Sequence, residues 1–173
     1  RAGNRIYSCP FIFSALYPIF EQYPDLVIDG ELYSHEYKDN FNEICSLTAK
    51  QDPTLKEIEE CKKYIKYHIY DFPAITLEIN ESKKFIDRFN VGRMILSNVD
   101  YIKMIEPLEV STHSELDTLF DTLLEDGYEG QIVRVNAPYE NKRSKYLLKR
   151  KIFQDDEYEV ICFNEGVGDR AGT

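Results

Sequence analysis

Apolar residues recur along this chain in two rhythms, one near every third or fourth position and one at every second. LVIDGELY (26–33) follows Pro24, is apolar and β-rich, and reads as a strand. In NFNEICSLTAK (40–50), Phe41, Ile44, Cys45 and Leu47 have helical spacing. Pro53 and Thr54 open a second helix that runs through Lys63, with Leu55, Ile58 and Cys61 on one stripe. YIKYHIYDF (64–72) alternates and is aromatic, which predicts a strand stopped by Pro73. Residues 79–97 have a helical pattern weakened by Asn90 and Gly92, and YIKMIEPLEV (101–110) reads as a strand interrupted by Pro107. SELDTLFDTLLEDG (114–127) is the clearest helix, with Ser114 as cap, acids in its first turn and Gly127 to close it. Three extended segments follow, at 130–136, 145–151 and 157–164. Strands mixed irregularly with helices predict an α+β fold with mainly antiparallel sheets.

Residues two apart on a strand share a face. Asp29 and Glu31 therefore lie together, in line with Val27 and Tyr33, and two carboxylates in so apolar a strand are costly to bury without partners. Gly30 between them lets another group approach closely. In EGQIVR (129–134), Glu129 leads a strand after a tight turn and Arg134 falls on the opposite face. In YLLKRK (146–151), Lys149 and Lys151 share one face and Arg150 points the other way. Each strand taken alone reads better as a solvated edge. Taken together they describe more. Carboxylates on two strands can hold a hard cation such as Mg²⁺, paired lysines and an arginine can grip a phosphate, and an aromatic on a further strand, Tyr67 or Tyr70, can stack on a base.

Charge sharpens that picture. The 173 residues carry 21 Lys+Arg against 31 Asp+Glu, a net charge of −10. Yet Arg134, Lys142, Arg143, Lys145, Lys149, Arg150 and Lys151 crowd into 18 residues against one acid, Glu140. An acidic total argues against indiscriminate nucleic-acid binding and leaves room for one basic face. The four cysteines (Cys9, Cys45, Cys61, Cys162) and three histidines (His35, His68, His113) are scattered, without C-x-x-C spacing, and read as reduced thiols in a cytoplasm-like compartment rather than a zinc site. No run approaches the ~20 apolar residues of a membrane span.

RAGN (1–4), DGELY, YHIYDF, EGQIVR and LLKRK in succession resemble the covalent nucleotidyltransferase superfamily (an ATP-grasp-like ligase domain), and within it ATP-dependent DNA ligases of the phage and bacterial kind. The resemblance implies an adenylation domain with the nucleotide between two antiparallel sheets. It implies Arg1 at the 5′-phosphate side of a DNA nick, and Glu31 at ribose and metal with Asp29 beside it. Tyr70 stacks on adenine, Glu129 binds metal, and Lys149 and Lys151 lie on the α-phosphate. Arg143 resembles an arginine of the family's GRS segment, with a shorter stretch before the lysines than the family has. ATP, Mg²⁺ and nicked double-stranded DNA are the expected cofactors and partner. The expected setting is a monomer with no membrane, in a bacterial or phage-infected cytoplasm, serving DNA replication, repair and recombination. The family's KxDG nucleophile motif has no counterpart here, since neither Asp29-Gly30 nor Asp126-Gly127 has a lysine two residues before the Asp. The expected organisation is a partial adenylation domain at 1–154, then the first strand and turn of an OB-fold at 155–173, within a central piece of a ligase. RNA ligases and mRNA-capping guanylyltransferases of the same superfamily are the near alternatives, and a non-catalytic nucleotide or interaction module is the distant one.

Overall fold

A computed structural model describes residues 5–75, 83–153, 157–162 and 164–165. In chain order its elements are α1 (Pro10–Gln22), β1 (Val27–Tyr33), a 3₁₀ turn (His35–Tyr37), α2 (Phe41–Thr48), α3 (Leu55–Tyr64), β2 (Lys66–Ala74), α4 (Phe85–Ile95), β3 (Ile102–Met104), α5 (His113–Glu125), β4 (Gly130–Arg134) and β5 (Leu147–Lys151). β1, β2 and β3 form one sheet in that order, and β4 and β5 form a second. β1–β2 and β4–β5 are antiparallel, whereas β2–β3 is parallel. The α+β expectation with mainly antiparallel pairing therefore holds, with one parallel exception.

The core fills one side of the three-stranded sheet. Ile69, Phe72 and Ile75 meet Phe85, Phe89 and Leu96 around α4, while Cys9, Ile12 and Leu16 of the α1 region, Ile44 and Leu47 of α2 and Cys61 of α3 complete it. Gly92, which weakens the helix in sequence, is there for packing: a Cβ would lie 2.3 Å from the Phe72 ring. Cys9 and Cys61 are buried with their sulfurs 3.1 Å apart, and Cys45 is partly buried. Cys162 is exposed.

Several boundaries depart from the sequence reading for identifiable reasons. β2 runs through Pro73 to Ala74 instead of stopping. β3 pairs only with Tyr67–Ile69, and the β1–β2 register shifts between Val27↔Ala74 and Asp29↔Asp71, so Pro73 sits where no ladder donor is needed. β3 keeps three residues of the strand expected at 101–110, ending well before Pro107. α1 was not expected, because Pro18 interrupts it and aromatics blur its faces, with Ile12 and Leu16 buried but Phe13 and Tyr17 exposed. Pro10 supplies its start. The cap of α5 is Thr112 rather than Ser114: Thr112 accepts from the Glu115 amide while Glu115 accepts from the Thr112 amide. At the C-terminal end, residues 157–162 and 164–165 are exposed and form no strand, so the extended segment expected at 157–164 is not seen among the described residues. No helix among the described residues is long and apolar enough to cross a membrane.

Two measurements check this architecture. Thr112→Ala should lower stability by about 0.5–2 kcal/mol in urea unfolding, and Ser114→Ala by no more than about 0.5 kcal/mol; the reverse order would return the cap to Ser114. The second concerns His68, which is 7% exposed. Burial, followed by Lys103, Lys66 and His35, lowers its pKa from 6.5 to about 4. The unfolded chain therefore takes up a proton that folded His68 refuses, and stability from this group is lost as pH falls from about 6.5 towards 4. Unfolding curves across that window should decline less steeply for His68→Phe than for the unmodified chain; equal slopes would exclude His68 as the source.

Candidate functional site

β1 and β2 present one chemically loaded face. Glu31 stands opposite His68 and Tyr33 opposite Lys66. Tyr70 joins them: its pKa is raised by burial first and by the Glu31 carboxylate second. Tyr67 belongs to the other side, where its hydroxyl donates to the Ile28 carbonyl at 3.1 Å and burial, with Asp29, raises its pKa to about 12. Of the two tyrosines the sequence left open, Tyr70 is the one beside Glu31. Asp29 lies at a register shift and acts on both hydroxyls. The close approach expected at Gly30 is made by β2 itself, since a Cβ there would lie 2.2 Å from the His68 carbonyl oxygen.

The second sheet sorts its side chains as alternation demands. Gln131 opposes Arg150, and both turn to α5: Gln131 donates to the Leu116 carbonyl, while Arg150 pairs with Asp117 at 2.7 Å and lies 4.1 Å above the Phe120 ring. Lys149 opposes Ile132, Lys151 opposes Gly130, and Leu147 opposes Arg134, so these side chains occupy the face away from α5. Gly130 has φ +153°, and a Cβ there would lie 2.2 Å from the Arg150 carbonyl oxygen, which explains a glycine directly after Glu129.

Contacts at both ends of β4 bring the sheets together. At its exit, Arg134 pairs with Asp71 of β2 and lies 4.5 Å over the Phe85 ring. At its entry, Tyr128 stacks with Tyr33 at 6.5 Å between centroids and meets His35 at 5.0 Å. Lys38 donates to the Asp126 carbonyl at 3.0 Å. Burial raises the Tyr33 pKa, and Tyr128, Glu31, Asp39 and Glu129 add to it. Lys149 and Lys151 share their strand face with Arg134, the residue that reaches β2.

The remaining site candidates separate clearly. Arg143 is exposed in the bends before β5 and is not drawn into this set, and Arg1 lies outside the described residues. Among the described residues no group of three or more His, Cys, Asp or Glu is arranged to hold a metal, so Asp29, Glu31 and Glu129 form no closed cage. Sequence reasoning missed Asp71, Arg88, Tyr33 and Tyr128. The one available signal was Asp71 itself, an acid in an apolar strand that requires a buried partner.

Known proteins resemble this chain in sequence and in fold. The family described as the ATP dependent DNA ligase domain matches residues 1–151. The chain is 29% identical over 171 residues to a DNA ligase of Haemophilus influenzae, covering 97% of this chain and 56% of that protein. It is 27% identical over 145 residues to a DNA ligase of African swine fever virus, covering 80% of this chain and 32% of that one. Among solved structures, a Lig E DNA ligase superposes with a TM-score of 0.64 at 19% identity, over 89% of this chain and 57% of that chain. A Chlorella virus DNA ligase-adenylate superposes with a TM-score of 0.61 at 20% identity, over 86% and 52%. The chain thus spans little more than half, or less, of the relatives it matches, and by the match over residues 1–151 it belongs to the ATP-dependent DNA ligase domain family.

Proposed function

We propose that this chain is the nucleotide-binding part of an ATP-dependent DNA ligase that seals nicks in duplex DNA. The observation that carries the reading is the pairing of two sheets, with Glu31 and Tyr70 on one and Lys149 and Lys151 on the face of the other that Arg134 turns to β2. Family membership supplies the reaction class. In that class a lysine of the whole protein would attack the α-phosphate of ATP and release pyrophosphate. The 5′-phosphate of a nick would take the AMP and free the lysine, and the neighbouring 3′-OH would attack that 5′-phosphate and release AMP as the strand closes.

The residues present suit those substrates. Lys149 and Lys151 are cations without ion pairs among the described residues and serve the α-phosphate, steadying charge on its oxygens. Tyr70 offers its ring to adenine, and Glu31, whose carboxylate raises the Tyr70 pKa, serves the ribose. Glu31 and Glu129, with Asp29 beside them, are the oxygen ligands for Mg²⁺, which supplies positive charge at the phosphates when bound. The absence of a three-residue cage among the described residues fits a metal held by one or two carboxylates plus substrate phosphates and water. Arg1 takes the 5′-phosphate of nicked DNA, and Arg143 an auxiliary place at the nucleotide. A cytoplasmic monomer completes the proposal, with residues 1–154 in the adenylation domain and 155–173 entering an OB-fold.

Two experiments test it. The 173-residue chain alone, incubated with labelled ATP and Mg²⁺, should form no stable AMP adduct, because it contains no KxDG lysine; a labelled band would show that another residue is the nucleophile. In the full-length protein, Lys151→Ala should slow self-adenylation by roughly 10²–10³, about 2.7–4 kcal/mol. Arg150→Ala should act on stability instead, since its partners are Asp117 and Phe120, costing about 0.5–1 kcal/mol through the lost ring contact. Comparable rate losses per folded molecule in the two variants would remove the distinction between the faces of β5.

A further inference from the structure

Tyr70 and Asp71 are neighbours on β2 with different partners. Tyr70 meets Glu31, whereas Asp71 is 0% exposed and engages two guanidinium groups. Its Oδ1 accepts from the Phe72 amide and from Arg88 Nε, each at 2.7 Å, and its Oδ2 accepts from Arg88 Nη2 at 2.8 Å and from Arg134 Nη1. Arg88 is 3% exposed and directs Nη1 to the carbonyls of Lys83, at 2.9 Å, and Ala137, at 3.0 Å. Asn136 accepts from the Ile86 amide at 3.1 Å. Three residues at the exit of β4 (Arg134, Asn136 and Ala137) are thus tied to β2 and the first turn of α4.

This cluster is a geometric device more than a source of stability. Burying three charged groups has a desolvation cost that their mutual attraction largely offsets, and what remains is a fixed arrangement. Both arginines present planar forks, which restrict direction as well as distance. The β4–β5 register carries that restriction across to β5, where Ile132 opposes Lys149 and Gly130 opposes Lys151. We infer that Asp71, acting through Arg134, is a positioning residue: it sets where Lys149 and Lys151 stand relative to Glu31 and Tyr70, and so the fit of the cleft to the α-phosphate of a nucleoside triphosphate. The inference rests on the nucleotide reading above and adds to it the groups that hold the two halves of the cleft in register.

The test uses the full-length protein with Arg134→Gln, Arg134→Lys and Asp71→Asn. Self-adenylation is followed with ATP at concentrations corrected for active fraction, and amide hydrogen exchange is followed in parallel. Arg134→Gln should lower kcat/KM by about a hundredfold, the scale of a ~1 Å misplacement, with the loss in kcat. Arg134→Lys, which keeps the charge without the fork, should recover part of it. Exchange should quicken in β4 and β5 while Ile69–Phe72 keep their protection. Asp71→Asn should reproduce the Arg134→Gln pattern, and if it does not fold the two Arg134 variants decide alone. Unchanged kcat and KM in folded Arg134→Gln would overturn the positioning role, as would exchange that rises equally throughout the chain. If the unmodified protein takes up no AMP, the nucleotide reading falls, and the exchange pattern alone then upholds or overturns the tie between the sheets.

Discussion

Asp71 has no solvent exposure, and a carboxylate in that position is tolerable only because two guanidinium groups and a backbone amide surround it. Removing one partner from such a cluster typically costs about 3–5 kcal/mol, because the remaining charge stays buried without its counterpart. The consequence reaches beyond α4. β4 and β5 are a two-stranded sheet, which in water is marginal by itself, and Ile132 and Leu148 remain 56% and 55% exposed. Contacts with α5 and the Arg134 tie to β2 give that sheet a defined place.

The opposite end of β4 has its own tether of a different kind. Tyr128 lies against Tyr33 and His35, and Lys38 reaches the Asp126 carbonyl. One end is therefore ionic and dry, and the other aromatic and partly wet. Ring contacts of this sort add about 0.5–1.5 kcal/mol beyond the area they cover, less than the ionic cluster demands in geometry. Glu129 directly follows Tyr128 in the chain, and both it and Glu31 add to the raised pKa of Tyr33, whose hydroxyl lies 3.1 Å from His35 Nδ1. The acids thus gather at the entry of β4, while the β5 lysines run along its neighbour.

What was legible in the sequence was mostly local. The periodicities of α2, α3, α5, β1, β4 and β5 each lie in a short window, and the facing of Arg150 against Lys149 and Lys151 follows from alternation alone. Positions that depend on a distant partner were not legible. Pro73 reads as a stop until the register shift opposite it is known, and Gly92 reads as a weak point until Phe72 is found against it. Arg134 could be given a face but not a partner, because Asp71 lies 63 residues away in sequence. Gly30 reads as an opening for a ligand, and the space belongs to β2. In each case the missing information was which strand lies alongside.

Within the basic segment Arg134 and Arg150 are committed to acids of the fold and Lys142 pairs with Glu140 at 3.1 Å, while Arg88 of α4 shares the Asp71 carboxylate with Arg134. Lys149 and Lys151 take part in no ion pair among the described residues, although Asp and Glu outnumber Lys and Arg in the chain by 31 to 21. A guanidinium fork suits a fixed protein partner, whereas an ammonium on a flexible stem can follow a phosphate whose charge shifts during reaction. Lys149 is exposed and Lys151 lies 5.2 Å from the Phe153 ring, so both ammonium groups stay within reach of solvent. The same reasoning covers the acids. Glu31 and Glu129 are both exposed, each adds to the raised Tyr33 pKa, and among the described residues neither belongs to a group of three that could hold a metal. On the proposed reading, a ligand carrying both phosphate and cation would engage the acids and the lysines together.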